Sequence, residues 1–379
     1  MRTARDMGTA GDLLVVGSGV LGLAIAHRAR RQGLEVTVLE ETTRPVGSSI
    51  QNFGHACFTG QADELQDLAL ASRAGWLRAA ADTGLWTATT GTVVPATTAA
   101  ELRVLEEFAA HRGPEQVRML SVAETRAALA HEELDVVGGA LLPLDMRVDP
   151  RTAVPRLAAW LSTQGVRFRW GERVLHTADG VVRTTRGTYR ADRVVVCPGT
   201  GVGGLFPEIA DRHGITQCTL AMALIERPER LPAHLAVLTG TSLARYDGFA
   251  AMPGTAALRA ELAVREPELT ACVANLMVTG IDGGLLVGDS HAYDDSYEPF
   301  LDAGLSDLLV HRAAALLGID SPRVIQRWLG RYSDAPGTTF VLEQPDAATT
   351  VAVVTSGVGM TLGFGLAERV LEGAPALAA

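Results

Sequence analysis

Residues 13–40 read LLVVGSGVLGLAIAHRARRQGLEVTVLE. The run Leu13–Val16 is continuously apolar, as a strand buried on both faces must be. Gly17, Gly19 and Gly22 follow in GxGxxG spacing; an amphipathic helix then runs to Gly33, and a second apolar strand, Val36–Leu39, stops on Glu40. In such a strand–turn–helix, Gly17 makes the tight turn, Gly19 lets backbone approach a pyrophosphate, and Gly22 lets helix and strand touch. The helix N-terminus offers N–H groups and the positive end of its dipole to phosphate. A carboxylate at the tip of the second strand accepts hydrogen bonds from ribose hydroxyls. The stretch therefore predicts a dinucleotide site at the start of an α/β sheet.

A chain of 379 residues exceeds what one core holds, so two domains are expected. The formal charge of −10 disfavours nucleic acid and anionic membrane as partners. An anionic substrate would need local arginines working against the overall field. Cys57, Cys197, Cys218 and Cys272 show no C-x-x-C spacing, so neither a metal site nor a disulfide framework is signalled, and reduced thiols in the cytoplasm are the expectation. Basic residues before an apolar run, with Ala24-Ile25-Ala26, imitate a signal peptide. The embedded glycines, and a strand at Val36–Leu39 that needs a partner at once, favour a folded βαβ start instead. No stretch has the length of a membrane span. Residues 1–11 lack periodicity and are expected to be a loose tail.

After Glu40, residues 41–60 (ETTRPVGSSIQNFGHACFTG) are dense in Gly, Ser and Asn, so this loop is expected to lie on the cofactor. Helical spacing marks 64–83, 100–112 and 121–130, the last capped by Ser121 with Glu124 three residues on. Residues 87–99 (TATTGTVVPATTA) read as a hairpin. A helix over 150–165 leads to a strand over 166–170; residues 180–186 and 187–190 form an antiparallel pair, and Arg193–Cys197 is an apolar strand ending in Pro198-Gly199-Thr200-Gly201. From about 216 to 288 the patterning is that of an antiparallel sheet, half exposed to a pocket. A helix over 301–317, the segment 324–332, a strand over 350–354 and a second glycine turn, 356–365, running into a helix close the chain. The expected fold is α/β: a discontinuous Rossmann-like domain from 12–85, 141–215 and 322–379, with an inserted α+β substrate domain on an antiparallel sheet from 86–140 and 216–321.

Several segments in this order carry a resemblance: GSGVLG (17–22) with Glu40, Gly47-Ser48-Ser49, RVDP (147–150), VVVCPG (194–199), RWLGRY (327–332) and SGVGMTLG (356–363). Together they resemble the D-amino-acid oxidase, glycine oxidase and sarcosine oxidase family of FAD-dependent amine oxidoreductases. SSIQNFG, FTGQ and GDSHAY are similar more particularly to its subgroup associated with bacterial phosphonate catabolism. The resemblance implies FAD rather than NAD, with Glu40 on the adenosine ribose, Ser48 and Ser49 on the pyrophosphate, and Gly199 and Thr200 lining the cofactor. It points the Gly357–Gly363 turn at the flavin, where Gly357, Val358, Gly359, Met360 and Thr361 present N–H groups. It also brings Val20, Leu21, Glu41, Asn52, Gly54, Val174, Cys197 and Gly330 into the cofactor set. Relatives that attach flavin through histidine or cysteine are matched here by Gln51 and Ser333, which implies non-covalent FAD; His55 is the counter-candidate.

Flavin amine oxidation removes a hydride equivalent from the carbon beside nitrogen, and the amine must react unprotonated. The protein's share is to orient that C–H bond, favour the free amine and clamp the substrate's anionic end. Arg331 matches the family arginine that binds a substrate carboxylate, and a planar fork suits carboxylate or phosphonate. Arg245 is the second clamp candidate, and Arg327 is read as structural. His291 sits where sarcosine-oxidising relatives place an active-site histidine. Tyr246 and Tyr293 are candidates to close the pocket, and Gln61 to face the flavin. The expected reaction converts 2-aminoethylphosphonate, or its N-methyl derivative, to phosphonoacetaldehyde plus ammonia or methylamine, with dioxygen reduced to hydrogen peroxide. The rivals are a glycine, sarcosine or D-amino-acid oxidase, a non-catalytic flavin-binding subunit and a NAD-dependent dehydrogenase.

Overall fold

In the computed structural model, which describes residues 8–373, strand Leu13–Val16 lies inside a six-stranded sheet. The order is Arg167–Trp170, Val36–Glu40, Leu13–Val16, Arg193–Val196, Thr349–Val354, Phe340–Glu343. All neighbours are parallel except the last pair. The strand is buried on both faces, as its unbroken apolar run requires. Leu13 and Val15 pack with the helices Val20–Arg31, Gln66–Thr83, Pro150–Thr163 and Gly359–Glu372. Leu14 and Val16 pack on the opposite side with Val174, Val182, Phe206 and Ile209. Fully burying each such side chain stabilises the fold by roughly 1.5–3 kcal/mol.

Topology places the crevice. From Leu13–Val16 the chain moves to Val36–Glu40 on one side, while Arg193–Val196, from mid-chain, occupies the other. Strand order reverses here, and the carboxyl ends of both strands open onto the gap where such sheets bind ligands.

A second sheet runs Ala292–Asp294, Thr216–Ile225, Gly284–Gly288, Met277–Ile281, Ala236–Leu238, Thr92–Ala96, Gly138–Leu142, Arg118–Leu120, with Val324–Asp334 on the other edge of Thr216–Ile225. It is antiparallel except where Ala236–Leu238 meets Thr92–Ala96. Alternation along its long strand divides two cores: Leu220, Met222 and Leu224 enter one, Ala221, Ala223 and Ile225 the other.

Four local expectations are corrected. Residues 87–99 do not form a hairpin: Thr87–Ala88 pairs with Met146–Val148, and Thr92–Ala96 with Gly138–Leu142. Gly91, at φ +78°, carries the chain so close to Leu142 that a Cβ there would meet its carbonyl oxygen at 2.7 Å. The stretch 216–288 is not strand throughout, because 240–271 folds into short helices, including Thr255–Arg265. That segment (TAALRAELAVR) is rich in strong helix formers, and Leu258 and Leu262, one turn apart, are its buried stripe. Of the expected tail, Gly8–Thr9 pairs with Tyr189–Arg190 and Ala10 is buried, while residues 1–7 lie outside the described residues. Val324–Asp334, grouped from sequence with the cofactor domain, pairs with the second sheet. The capping box at Ser121 and Glu124 is present. Among the described residues no helix is long and apolar enough to cross a membrane.

Candidate active site

The two sheets face each other across a cleft enclosing about 1680 Å³ of empty space, part of it open to solvent. One wall is the backbone-rich end of the six-stranded sheet. The other is built from side chains of the second sheet and its helices.

On the first wall, Gly17 has φ +98°, and a Cβ there would lie 2.3 Å from the Cys197 carbonyl oxygen. A Cβ on Gly22 would lie 2.1 Å from the Gly17 carbonyl oxygen. Gly19, Val20, Leu21 and Gly22 line the cleft, together with Ser48, Ser49 and Asn52. Ser49 Oγ accepts a hydrogen bond from the Val20 N–H at 2.9 Å, tying this loop to the helix N-terminus. Gly357, Val358, Gly359 and Met360 line the cleft at the start of the C-terminal helix. Neither helix has an acid in its first turn, so two positive dipole ends meet the same space uncancelled. Cys197 and Gly199 complete the wall.

Other expected cofactor residues are near but do not line the cleft. Glu40 caps its strand, and its carboxylate already accepts four hydrogen bonds: from Ser18 N (2.9 Å) and Oγ (2.8 Å), and from Thr42 N (2.9 Å) and Oγ1 (2.8 Å). Glu41 is exposed. Gly54 serves the fold: at φ +65°, its Cβ would stand 1.9 Å from the Val148 carbonyl oxygen. Val174 is buried beneath the six-stranded sheet, Thr200 is half-buried, and a Cβ on Gly330 would crowd the Gln51 carbonyl at 2.9 Å. Thr361 is buried, and its hydroxyl accepts from the Cys57 N–H at 3.2 Å.

The second wall holds Arg245, Tyr246, His291 and Arg331, with Gln61 beside them. Arg245 sits in the turn between helices Gly240–Leu243 and Asp247–Ala250, not in a strand, and donates to the Tyr293 hydroxyl at 2.6 Å. Arg331 projects from Val324–Asp334, and its guanidinium lies 4.6 Å over the Tyr297 ring. Among the described residues neither arginine forms an ion pair, whereas Arg327 pairs with Asp307. Tyr293 is 44% exposed and does not line the cleft, touching it through its hydrogen bond from Arg245 and its ring stacked 6.2 Å from that of His291. The Tyr246 hydroxyl points at Met277 Sδ, 3.6 Å away. Gln61 is buried, its amide donating to the Cys57 carbonyl at 2.8 Å.

His291 is neutral: burial, and then the nearby Arg245 charge, push it down to about 3. Its Nδ1 lies 2.9 Å from the Val273 carbonyl, which can only accept, so the proton is on Nδ1 and Nε2 is a free acceptor. Among the polar cleft residues not anticipated from sequence are Asp247, Asn275, Asp289, Tyr332 and Asp334. Burial pushes Asp289 up to about 8 against the pull of Arg245. A signal was available in Asp289, an acid directly following the buried run Gly284–Gly288; Asn275 carried none.

Gln51 and Ser333 both line the cleft. His55 does not: its Nε2 is 2.7 Å from Thr92 Oγ1. His55, Cys57 and Asp145 lie within 4.8 Å of one another as a buried donor cluster. The buried Arg147 beside Asp145 supplies a counter-charge there and works against a cation.

The family described as DAO, FAD dependent oxidoreductase, matches residues 12–372. Among solved structures, the chain is similar to glycine oxidase from Geobacillus kaustophilus (TM-score 0.77, 21% identity, covering 98% of this chain and 97% of that one). It is similar also to L-proline dehydrogenase from P. horikoshii (TM-score 0.74, 14% identity, 98% and 96%). A third is iminodiacetate oxidase from Chelativorans sp. BNC1 (TM-score 0.71, 19% identity, 97% of each chain). At these identities the likeness is one of fold. No curated protein matches the sequence.

Proposed function

Because the chain belongs to the family of FAD-dependent oxidoreductases matched over residues 12–372, we propose that it oxidises a small amine bearing an anionic group, namely 2-aminoethylphosphonate or its N-methyl derivative. The products are phosphonoacetaldehyde and ammonia or methylamine, with dioxygen reduced to hydrogen peroxide and one water consumed. The observation that carries this reading is a pair of arginines, Arg245 and Arg331, on the wall opposite the glycine turn and two helix N-termini. Among the described residues neither forms an ion pair, although Asp247, Asp289 and Asp334 share the cleft with Arg245, in a chain whose net charge is −10. Two guanidinium forks suit a phosphonate, with three oxygens and up to two charges, better than a carboxylate.

The first wall fits FAD. The turn is held tight because Gly17 and Gly22 admit no Cβ against the chain's own carbonyls, and Gly19, Ser48 and Ser49 line the cleft at the helix N-terminus. When bound, FAD supplies the two-electron acceptor for the C–H bond beside nitrogen. Ser48, Ser49 and the N-terminus of helix Val20–Arg31 would hold the pyrophosphate, Glu40 the ribose in exchange for its bonds from the Ser18 and Thr42 hydroxyls, and residues 357–360 the flavin edge. Gln51 and Ser333 make no covalent link to flavin, so FAD is held non-covalently. We assign the cofactor domain to 12–85, 141–215 and the chain after Asp334, and the substrate domain to the second sheet. The four unpaired cysteines support a reducing, cytoplasmic setting.

The test is a substrate panel under peroxide detection: aminoethylphosphonates against glycine, sarcosine and D-alanine. Turnover of the phosphonates supports the assignment; turnover only of the carboxylates sinks it. A flavin unchanged by every amine would favour a non-catalytic subunit, and protein purified without flavin that uses NAD would favour a dehydrogenase.

A further inference from the structure

Beside Arg245 and Tyr246 the cleft wall carries three hydrogen-bond acceptors that accept no hydrogen bond from the protein. Asn275 and Asp289 are locked side by side by reciprocal backbone bonds, Asn275 N to Asp289 O at 2.9 Å and Asp289 N to Asn275 O at 3.2 Å. Both are more than nine-tenths buried, both line the cleft, and the Oδ1 atom of each has no hydrogen-bond partner. The third acceptor is His291 Nε2, 3.9 Å from Asp289 Oδ2 and bare because Nδ1 carries the proton. A buried acceptor left unsatisfied costs about 1–3 kcal/mol, so such a group in a native cleft marks a place for a donor. Three open acceptors on one stretch of the cleft wall match in number the three N–H bonds of a primary ammonium. The anion clamp cannot use them, since a phosphonate or carboxylate oxygen also accepts.

Resting on the amine-oxidation reading above, we propose that Asn275, Asp289 and His291 form the amine-binding subsite, and that Asp289 is the base that takes the proton of the bound ammonium. The step is a proton transfer: R–CH2–NH3⁺ and the Asp289 carboxylate become R–CH2–NH2 and the carboxylic acid, leaving a lone pair on nitrogen to support the loss of hydride from the neighbouring carbon. His291 and Asn275 hold the amine without exchanging protons. The subsite also selects: a primary amine satisfies all three acceptors, a secondary ammonium two, and a tertiary one leaves at least two empty. The unmethylated aminoethylphosphonate is therefore the preferred of the two proposed substrates.

Asp289 is suited to this exchange by its surroundings. Arg245 faces it from the turn after Gly240–Leu243, Tyr246 from the same turn, Cys218 from Thr216–Ile225 and Cys272 from beyond Pro267–Ala271. Tyr332 reaches the same corner from Val324–Asp334, its ring 6.3 Å from that of His291. Arg245 is the cation among these groups, and burial outweighs it, so the carboxyl is basic enough, at about 8, to compete for an ammonium proton.

The experiment compares the wild-type holoenzyme with Asp289→Asn, which preserves shape and removes the base. With aminoethylphosphonate, wild-type kcat/KM falls below a pH of about 8, and D289N loses this acid limb together with about 100-fold in kcat/KM at pH 8. Binding is followed separately through the visible spectrum of the flavin without oxygen. D289N leaves the affinity for ethylphosphonate, which has no amine, within about twofold, while 3-aminopropylphosphonate, which keeps an ammonium, binds about tenfold more weakly or worse. An unchanged acid limb, or equal loss of both ligands, overturns the proposal. If D289N does not fold, the wild type still decides: kcat/KM must fall from the primary to the N-methyl to the N,N-dimethyl amine, and equal rates for all three would refute the subsite. Wild type inert toward every amine removes the parent reading, whereas an active wild type matched by D289N removes this inference alone.

Discussion

The two walls of the cleft are made in different ways. The cofactor wall is mostly backbone: glycines that admit no Cβ, two helix N-termini and a serine loop, largely within short windows of sequence. The opposing wall is made of side chains from separate elements, with Arg245 on a turn, Asn275 and Asp289 joined across a backbone pair, and Arg331 on a strand some forty residues later. A backbone site is specified by spacing, because only glycine allows the geometry. A side-chain site is specified by topology, because its members become neighbours only once the sheet has formed. The first wall should therefore fail all at once when one atom is added, and the second by degrees.

Gly22→Ala is the severest test of that difference. Its added carbon would meet the Gly17 carbonyl at 2.1 Å, so stability falls by about 3 kcal/mol, and flavin content falls below roughly a tenth of wild type. A yellow, fully loaded variant in gel filtration would contradict it. On the other wall, Arg331→Met and Arg245→Met each remove charge-assisted bonds worth about 1.5–3 kcal/mol. KM for an anionic amine then rises about 10- to 100-fold in each single variant, flavin content is unchanged, and the double variant is worse. Loss of flavin in either single variant would show that the walls are not independent.

Smaller effects concern buried groups. The Asp289 carboxyl is raised to about 8 by burial, so ionising it opposes folding. The penalty is absent below the unfolded carboxyl value, roughly 4, grows as pH rises, and is complete above about 8. In ligand-free protein, D289N should therefore melt higher than wild type by about 2 °C or more at pH 9, and the gap should close near pH 4–5. A gap independent of pH would show that the carboxyl does not titrate as described. Least perturbing is His55→Gln: with His55 bonded to Thr92 and away from the cleft, acid precipitation should release all flavin from both variant and wild type. Flavin retained by the wild-type pellet and released from H55Q would establish a covalent link.

How much of this was legible in sequence follows the same divide. The strand, turn and helix of 13–33 are where the spacing of Gly17, Gly19 and Gly22 puts them, and the middle and C-terminal strands of the cofactor sheet read directly from their apolar runs. The resemblance makes Gly54 and Gly330 cofactor residues, yet their missing side chains admit neighbouring carbonyls of the chain itself; a glycine shows that something comes close, not what. Arg331 and His291 follow from the resemblance and Arg245 from its own segment; Asp289 stands inside GDSHAY without any sign that it faces Asn275, since thirteen residues separate the two in sequence and only the register of Met277–Ile281 with Gly284–Gly288 brings them together. The helices at 240–271 interrupt a stretch whose flanks read as strand, and their own composition, rich in strong helix formers, is the local signal for them.

The central claim is that one wall holds FAD while the other delivers an anionic amine to it. Anaerobic mixing of the purified holoprotein with 2-aminoethylphosphonate tests it most directly, with the visible absorbance of the bound flavin followed before oxygen is readmitted. Bleaching by the aminophosphonate, and recovery of colour with release of hydrogen peroxide on aeration, is the predicted result. Bleaching by glycine, sarcosine or D-alanine but not by the aminophosphonate would contradict the assignment of the second wall, and a flavin unmoved by any amine would contradict the account as a whole.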